Sequence, residues 1–356
     1  MEPPAVERLT DLRQRFLVDA REHRRRAPFH SALCAAAASD PEILAILRHA
    51  PTEQQVPVLL MAAVHSVVLA EPSLDLAAHY PTTGGDASAE SAIPAFVDFC
   101  HDEADRLGEI VATHRTQTNE VGRASLLLPG LALVHAEVGP IGMLDVGTSG
   151  GLNLLLDRFS YEYRPGGSIG SESTVHLVCD VEGDVPLPSS IPTLASRLGT
   201  DVDPIDVTDD ERARWLLACI WPDQLDRFER VQAAIELARV EPVPVIRSDA
   251  VEAVTERVRA MDGHPVVTNS WVLNYLSDSD RIRYVDALDR IGHEIDLSWV
   301  YAECPALCPG VPFAGPARDR RLTSVTMVTW RGGDSSVRHI GSAHPHGYWL
   351  RGRQGD

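Results

Sequence analysis

A chain of 356 residues with 44% hydrophobic and 23% charged residues is globular in composition and long enough for about two domains, which excludes fibrous and disordered classes. Its 51 acidic residues exceed the 32 basic ones by 19, and every basic residue is Arg. Nucleic acid and anionic membrane are therefore disfavoured as partners, a small-molecule substrate is expected, and chemistry that needs a lysine is ruled out.

The six cysteines are scattered, with no C-x-x-C pair and no charged and apolar leader ahead of them, so reduced thiols in a cytoplasmic protein are expected. Cys304 and Cys308 with His344 or His346 do not have zinc-knuckle spacing, and no metal is expected. From the N-terminus to about Val138 the apolar residues recur at helical spacing. Leu9, Leu12, Phe16 and Ala20 mark a first helix ending in the basic cluster Arg24 to Arg26. Asp40 and Pro41 read as N-cap and first-turn proline, and Thr52 with Gln55 as a capping box ahead of Leu59, Leu60 and Val64. The longest apolar run, Val56 to Ala70, is too short to span a bilayer. A loop of small residues, Thr82 to Ser91, precedes a helix with Phe96, Phe99 and Leu107, and Ala124 to Val138 forms another despite Pro129. The expected division is an all-helical cap over residues 1–130 and an α/β domain over 131–356.

Beyond Gly139 short apolar runs alternate with helical stretches, the pattern of a doubly wound, mostly parallel sheet. Ile141 to Val146, Val243 to Arg247, Pro265 to Asn269 and Leu297 to Glu303 are the strands, with a helix starting at Leu152 and others over Asp249 to Met261 and Asp280 to Ile291. Thr323 to Trp330 and Ser336 to Ser342 flank an Arg-Gly-Gly-Asp turn and must form a C-terminal antiparallel hairpin.

The strand Ile141 to Val146 runs into Asp145-Val-Gly147-Thr148-Ser149-Gly150-Gly151, a glycine loop that offers backbone N–H groups to a ligand. This segment resembles the first motif of class I S-adenosylmethionine-dependent methyltransferases, with Ser149 in place of the middle glycine. Ser248-Asp249-Ala250 resembles their acidic element that meets the adenine amino group, and Asn269-Ser270-Trp271 their fourth-strand motif. The whole chain also resembles an uncharacterised bacterial family that shares its QTNE-x-x-R, DVGTSGGLNLLLD and WPDQ segments. The first resemblance implies S-adenosylmethionine as cofactor, held by Asp145, Gly147, Thr148, Ser149, Gly150, Gly151, Asn153, Asp249, Ala250, Asn269 and Ser270. It also implies an acid at the end of the second strand for the ribose hydroxyls, for which Asp180, Asp201 and Asp203 are all candidates.

Two other readings of the loop stand beside it. Gly147-Thr-Ser149-Gly150-Gly151 also fits the G-x-S-x-G elbow of a serine hydrolase, with Asp249 and His346 following in triad order. A non-catalytic protein that binds a nucleotide-type ligand on the same fold is the second. Gln117, Asn119, Glu120 and Arg123 precede the helix that feeds the first strand, which places them at the ligand-binding strand ends, and with Trp271 they are the candidate substrate contacts. Within that group Glu120 and Arg123 also have the spacing of a helical ion pair. Glu303 ends a strand and His346 follows the last one; these are the candidate catalytic acid or base groups.

Overall fold

In the computed structural model, which describes residues 5–85 and 88–353, Asp40 caps a helix as its place before Pro41 demands: its Oδ1 accepts from the N–H groups of Glu42 (2.9 Å) and Ile43 (3.3 Å). The chain divides into two units, each discontinuous in sequence. One comprises Met1–Thr118 with Thr208–Gln232, the other Asn119–Val207 with Ala233–Asp356.

The first unit is helical. It contains α1 (Ala5–His23), α2 (Pro28–Ser39), α3 (Pro41–Ile46), α4 (Pro57–Ala70), α5 (Ala89–Asp102) and α6 (Ala104–Thr113). Leu12, Phe16, Leu33, Ile43, Leu59, Val64, Phe96 and Leu107 meet in one core, which Trp215 from the second stretch of this unit completes. The expected capping box does not form. Thr52–Gln54 is a 3-10 turn, Gln55 turns its side-chain amide to the Ala50 carbonyl (3.0 Å), and α4 starts at Pro57 without a side-chain cap. Pro57 at the first helical position has no N–H to cap, which explains why the cap is dispensable. The small-residue loop, expected to run to Ser91, ends three residues earlier at Ser88, whose Oγ accepts from the Ser91 N–H and caps α5; residues 86 and 87 lie outside the described residues.

The second unit is a mixed α/β fold with a largely parallel sheet. Its first helix, α7 (Ala124–Val138), spans the 130/131 boundary drawn from the sequence and lies wholly in this unit. Gly130 in α7 has no room for a side chain, because a Cβ there would stand 2.7 Å from Val300 Cγ1. That approach seats the helix on the sheet despite Pro129. Together with the turn before it, Val121–Val138 is long and apolar enough to cross a membrane, but it is 67% buried, as a core helix of this sheet.

Eleven strands follow: β1 (Ile141–Val146), β2 (Ser160–Arg164), β3 (Gly167–Ile169), β4 (His176–Glu182), β5 (Leu194–Asp201), β6 (Val245–Arg247), β7 (His264–Ser270), β8 (Leu297–Glu303), β9 (Thr323–Arg331), β10 (Asp334–Ala343) and β11 (Trp349–Arg351). Four more helices complete the chain: α8 (Asp210–Ala218), which belongs to the helical unit, α9 (Leu225–Val240), α10 (Ala250–Arg257) and α11 (Asp278–Glu294). The spatial order is β3-β2-β4-β11-β10-β9-β8-β7-β1-β5-β6. β9 and β10 form the expected hairpin across Gly332-Gly333. One expected helix is corrected: the residues after the glycine loop, Leu152–Arg158, form a 3-10 segment kinked at Leu155.

The five strands β6-β5-β1-β7-β8 are all parallel. After β1 the chain makes β2 to β4 at the far end of the sheet, then adds β5 and β6 on one side of β1, and finally β7 and β8 on the other. The switch point is the gap between the C-terminal ends of β1 and β7, the place where open α/β sheets bind ligands.

Candidate functional site at the switch point

At the end of β1, Asp145 is buried and turned inward. Its Oδ2 accepts from Thr148 Oγ1 (2.6 Å) and its Oδ1 from Thr268 Oγ1 on β7 (2.7 Å), so one carboxylate ties the glycine loop to the neighbouring strand. Burial pushes its pKa up to about 6, the two hydroxyl donors pull it down, and the charge of Asp201 adds to the rise. The unfolded chain has an ordinary value near 4, so between about pH 4 and 6 the folded state holds this proton more firmly. Stability from this group is complete below the unfolded value and is lost as pH rises through the folded one, by about 3 kcal/mol. Asp145→Asn should therefore gain on the parent by up to that amount between pH 4.5 and 7.5, measured by urea unfolding at both; an identical pH slope in the two proteins would contradict it.

The loop itself is held from the other side. The Gly147 and Thr148 N–H groups donate to the Thr200 carbonyl on β5 (2.8 and 3.0 Å). The Ser149 N–H donates to Asp201 Oδ2 (2.8 Å), and Asp201 Oδ1 accepts from Asp203 N–H (2.9 Å). Of the three candidate ribose acids, Asp201 thus ends the strand paired directly with β1. Asp203 lies just past it and pairs with Arg247 (3.0 Å), whereas Asp180 sits on β4, six strands from β1 in the sheet order.

Among the described residues only Ser149 and Trp271 are non-glycine residues with a left-handed backbone, both at φ 55°. They stand just past the ends of β1 and β7. An aromatic residue in that conformation is an outlier maintained by its surroundings. For Trp271 the restraints are its N–H on the Ala302 carbonyl (3.0 Å) and its indole Nε1 on Thr323 Oγ1 (2.9 Å), while Arg123 lies 6.0 Å from the ring centre.

Asn119, Glu120 and Arg123 are brought to this place. Asn119 Oδ1 accepts from the Leu152 N–H (3.3 Å), and the Glu120 carbonyl accepts from Asn153 Nδ2 (3.4 Å). The Arg123 guanidinium donates to the carbonyls of Pro345 (2.9 Å) and Ser270 (3.0 Å), clamping the end of β7 to the loop after β10. The buried Glu120 carboxylate accepts from the Gly122 N–H (3.0 Å) through one oxygen, and the other lies 3.3 Å from His346 Nδ1. Gly347 abuts the Gly122 carbonyl so closely that no side chain fits. Gln117 belongs to the helical unit, where its N–H donates to Cys219 Sγ (3.5 Å).

Other candidates serve the framework. Glu303 is fully buried; its Oε1 accepts from Asn269 Nδ2 (2.8 Å) and from the N–H groups of Val272 (2.8 Å) and Leu273 (3.3 Å), and burial raises its pKa. It shapes the turn after β7 and offers no exposed oxygen to a substrate. Asn269 Oδ1 accepts from Trp299 Nε1 (2.7 Å) and Tyr284 OH (3.3 Å), deep in the core. Asp249 Oδ1 caps α10, accepting from Val251 and Glu252 N–H (2.9 and 3.0 Å), with Ala250 buried behind it. Cys308 faces Glu303 (3.8 Å) and Cys304 the Arg320 carbonyl (3.7 Å). A separate cleft of about 620 Å³ lies against β9 and β10, lined by Cys308, Phe313, Asp319, Ser324 and His339, and no glycine-loop residue borders it.

Sequence reasoning named Thr148, Glu120 and His346 but missed Thr268, the latch that Thr148 and Thr268 make on Asp145, and the Glu120–His346 pairing. The latch had a signal, a Thr three residues after the acid; the pairing joins positions 226 residues apart and had none. The chain belongs to a family described as an uncharacterized protein conserved in bacteria (DUF2332), which it matches over residues 13–351. No curated protein and no solved structure matches it.

Proposed function

We propose, from the geometry of the α/β unit rather than from the family's description, that the switch point binds S-adenosylmethionine and that the protein methylates a small-molecule nucleophile. The observation that carries this reading is Asp201, an acid at the C-terminal end of the strand beside β1, where the methyltransferase resemblance asks for a ribose ligand. Two buried polar atoms at the same place, Asn153 Oδ1 and Thr200 Oγ1, have no hydrogen-bond partner within the protein, which is the state of a site that awaits a ligand. The acidic surroundings of Asp145, Asp201 and Glu120 favour a cationic group.

Asp201, beside the glycine loop, would hold the ribose side, Asp249 through the Oδ2 that the α10 cap leaves out and Ala250 after β6 the base, and Asn119 the opposite end. When bound, S-adenosylmethionine supplies an electrophilic methyl on a positively charged sulfur. The imidazole of His346 would accept the proton that the nucleophile gives up, and the Glu120 carboxylate, 3.3 Å from Nδ1, would stabilise the cation so formed. Strained Ser149 and Trp271 fix the two loops in advance, so alignment supplies most of the acceleration.

With the cofactor at 100 times its dissociation constant, stability should rise by about 2.7 kcal/mol and the melting temperature by several degrees. Asp201→Ala should abolish the shift. A full-length wild type with neither a thermal shift nor calorimetric binding at millimolar cofactor would sink the reading.

The left-handed backbone of Ser149 favours one alternative, the strained elbow of a serine hydrolase. Against it, Asp249 spends a carboxylate oxygen on helix amides and the acid beside His346 is Glu120. A fluorophosphonate probe should leave Ser149 unlabelled, and Ser149→Gly should bind the cofactor as well as the parent. Labelling lost in Ser149→Ala would establish the hydrolase instead.

A further inference from the structure

In the helical unit, α1 and α2 each carry a pair of metal-ligand residues one turn apart, Asp19 with His23 and His30 with Cys34. The turn between the helices brings the pairs together. His30 Nε2 lies 2.8 Å from Asp19 Oδ2, and Cys34 Sγ lies 3.5 Å from both of those atoms. His23 Nε2 is 3.6 Å from the other Asp19 oxygen. Among the described residues Asp19, His30 and Cys34 are the one group of three or more His, Cys, Asp or Glu donors that converge within 4.8 Å, and His23 stands outside it.

We propose that Asp19, His30 and Cys34 form a zinc site. Bonds of about 2.0–2.3 Å in a tetrahedral zinc centre place neighbouring donors roughly 3.3–3.8 Å apart. Two of the three distances already fall in that range. The third, between His30 and Asp19, is a hydrogen bond that the ion replaces by opening it about 0.5 Å. A thiolate, an imidazole and a carboxylate are the mixed donor set of a borderline-soft divalent ion, and water takes the fourth position.

Burial separates this cluster from a surface group of polar residues. Cys34 and His30 are 0% and 1% exposed, in a wall of Phe16, Ala20, Leu33 and Ala37, while the Asp19 and His23 side chains at 15% and 27% leave a way in for the ion. The Trp-Pro-Asp-Gln segment supports the site from within the same unit. The Trp221 ring stacks on His30 (4.5 Å, 15°) and lies 4.3 Å from His23, fixing the ring planes, as an outer-shell partner does. Asp223 caps α2 by accepting from the Phe29 and His30 N–H groups (both 2.8 Å). Binding takes the thiol proton from Cys34 and releases it to solvent, leaving a thiolate on the metal.

The test uses full-length protein without a histidine tag, stripped of metal and titrated with Co²⁺ and then Zn²⁺. One equivalent of Co²⁺ should give a thiolate charge-transfer band and the visible bands of tetrahedral cobalt, one equivalent of Zn²⁺ should displace it, and about one proton per chain should appear. Cys34→Ala should lose the charge-transfer band. Asp19→Asn, at the partly exposed edge of the cluster, should keep the band but bind at least tenfold more weakly. Folded wild type without the band, Cys34→Ala with an unchanged one, or Asp19→Asn with unaltered affinity would overturn the proposal.

Discussion

Glu303→Ala should lower stability by about 4 kcal/mol, because it strands the N–H groups of Val272 and Leu273 and the Asn269 amide in a fully buried place. In a protein of this size that corresponds to a fall of about 10 °C in melting temperature. Glu303→Gln keeps an acceptor at Oε1 and loses a charge whose burial is itself unfavourable, so it should melt within a few degrees of the parent. The contrast, read by circular dichroism, separates a positioning residue from a base. A catalytic Glu303 would give a Gln variant that is stable but inactive, whereas a framework Glu303 gives one that is stable and still binds cofactor.

The second large effect is expected at Gly147. Its φ of +72° lies in the left-handed region, and a Cβ would run into the Val272 methyl groups, 2.6 Å from Cγ1, where the loops after β1 and β7 meet. Gly147→Ala should cost about 3 kcal/mol, from backbone strain and overpacking together, and should remove cofactor binding because the two loops are forced apart. Gly139→Ala is the matched control: φ is +80° and nothing lies within 4 Å of its Cβ, so it should cost only about 1 kcal/mol and bind normally. Equal losses in the two variants, measured by chemical unfolding, would show that strain alone acts at Gly147.

Much of the sheet centre was legible because buried parallel strands are continuous apolar runs. Ile141–Val146 and Leu297–Glu303 were read at their observed bounds, and the Gly-Gly turn identified the hairpin. β5 escaped because Leu-Ala-Ser-Arg-Leu-Gly-Thr-Asp is half polar and mostly only partly buried; its place beside β1 comes from pairing, which no local pattern encodes. That single omission is why Asp201 could not be chosen over Asp180. β11, three residues long, was invisible for the same reason, although it joins the β2 to β4 region to the rest of the sheet. At the site, residue types were readable but roles were not: Asn269 and Glu303 look like pocket groups until Trp299, Tyr284 and the Val272 turn are seen to consume their hydrogen bonds. The Asp19, His30 and Cys34 cluster had a partial signal in the i, i+4 pair His30/Cys34, but Asp19 reaches it only through the packing of α1 on α2.

The interleaving of the two units along the chain has a consequence for synthesis. The buried His65 imidazole needs the Ala218 carbonyl (3.1 Å), the helical core needs Trp215, and the N-terminus of α2 needs the Asp223 carboxylate. All three partners emerge from the ribosome about one hundred residues after Thr118, a delay of roughly 5–20 s at ordinary elongation rates. For that interval the first 118 residues expose a ring, an uncapped helix and part of an apolar core, while β1 to β5 emerge behind them. A nascent chain stalled before residue 208 should be sensitive to protease throughout its helical part, and one stalled with residue 232 well clear of the exit tunnel should be protected there while its C-terminal strands are still unmade.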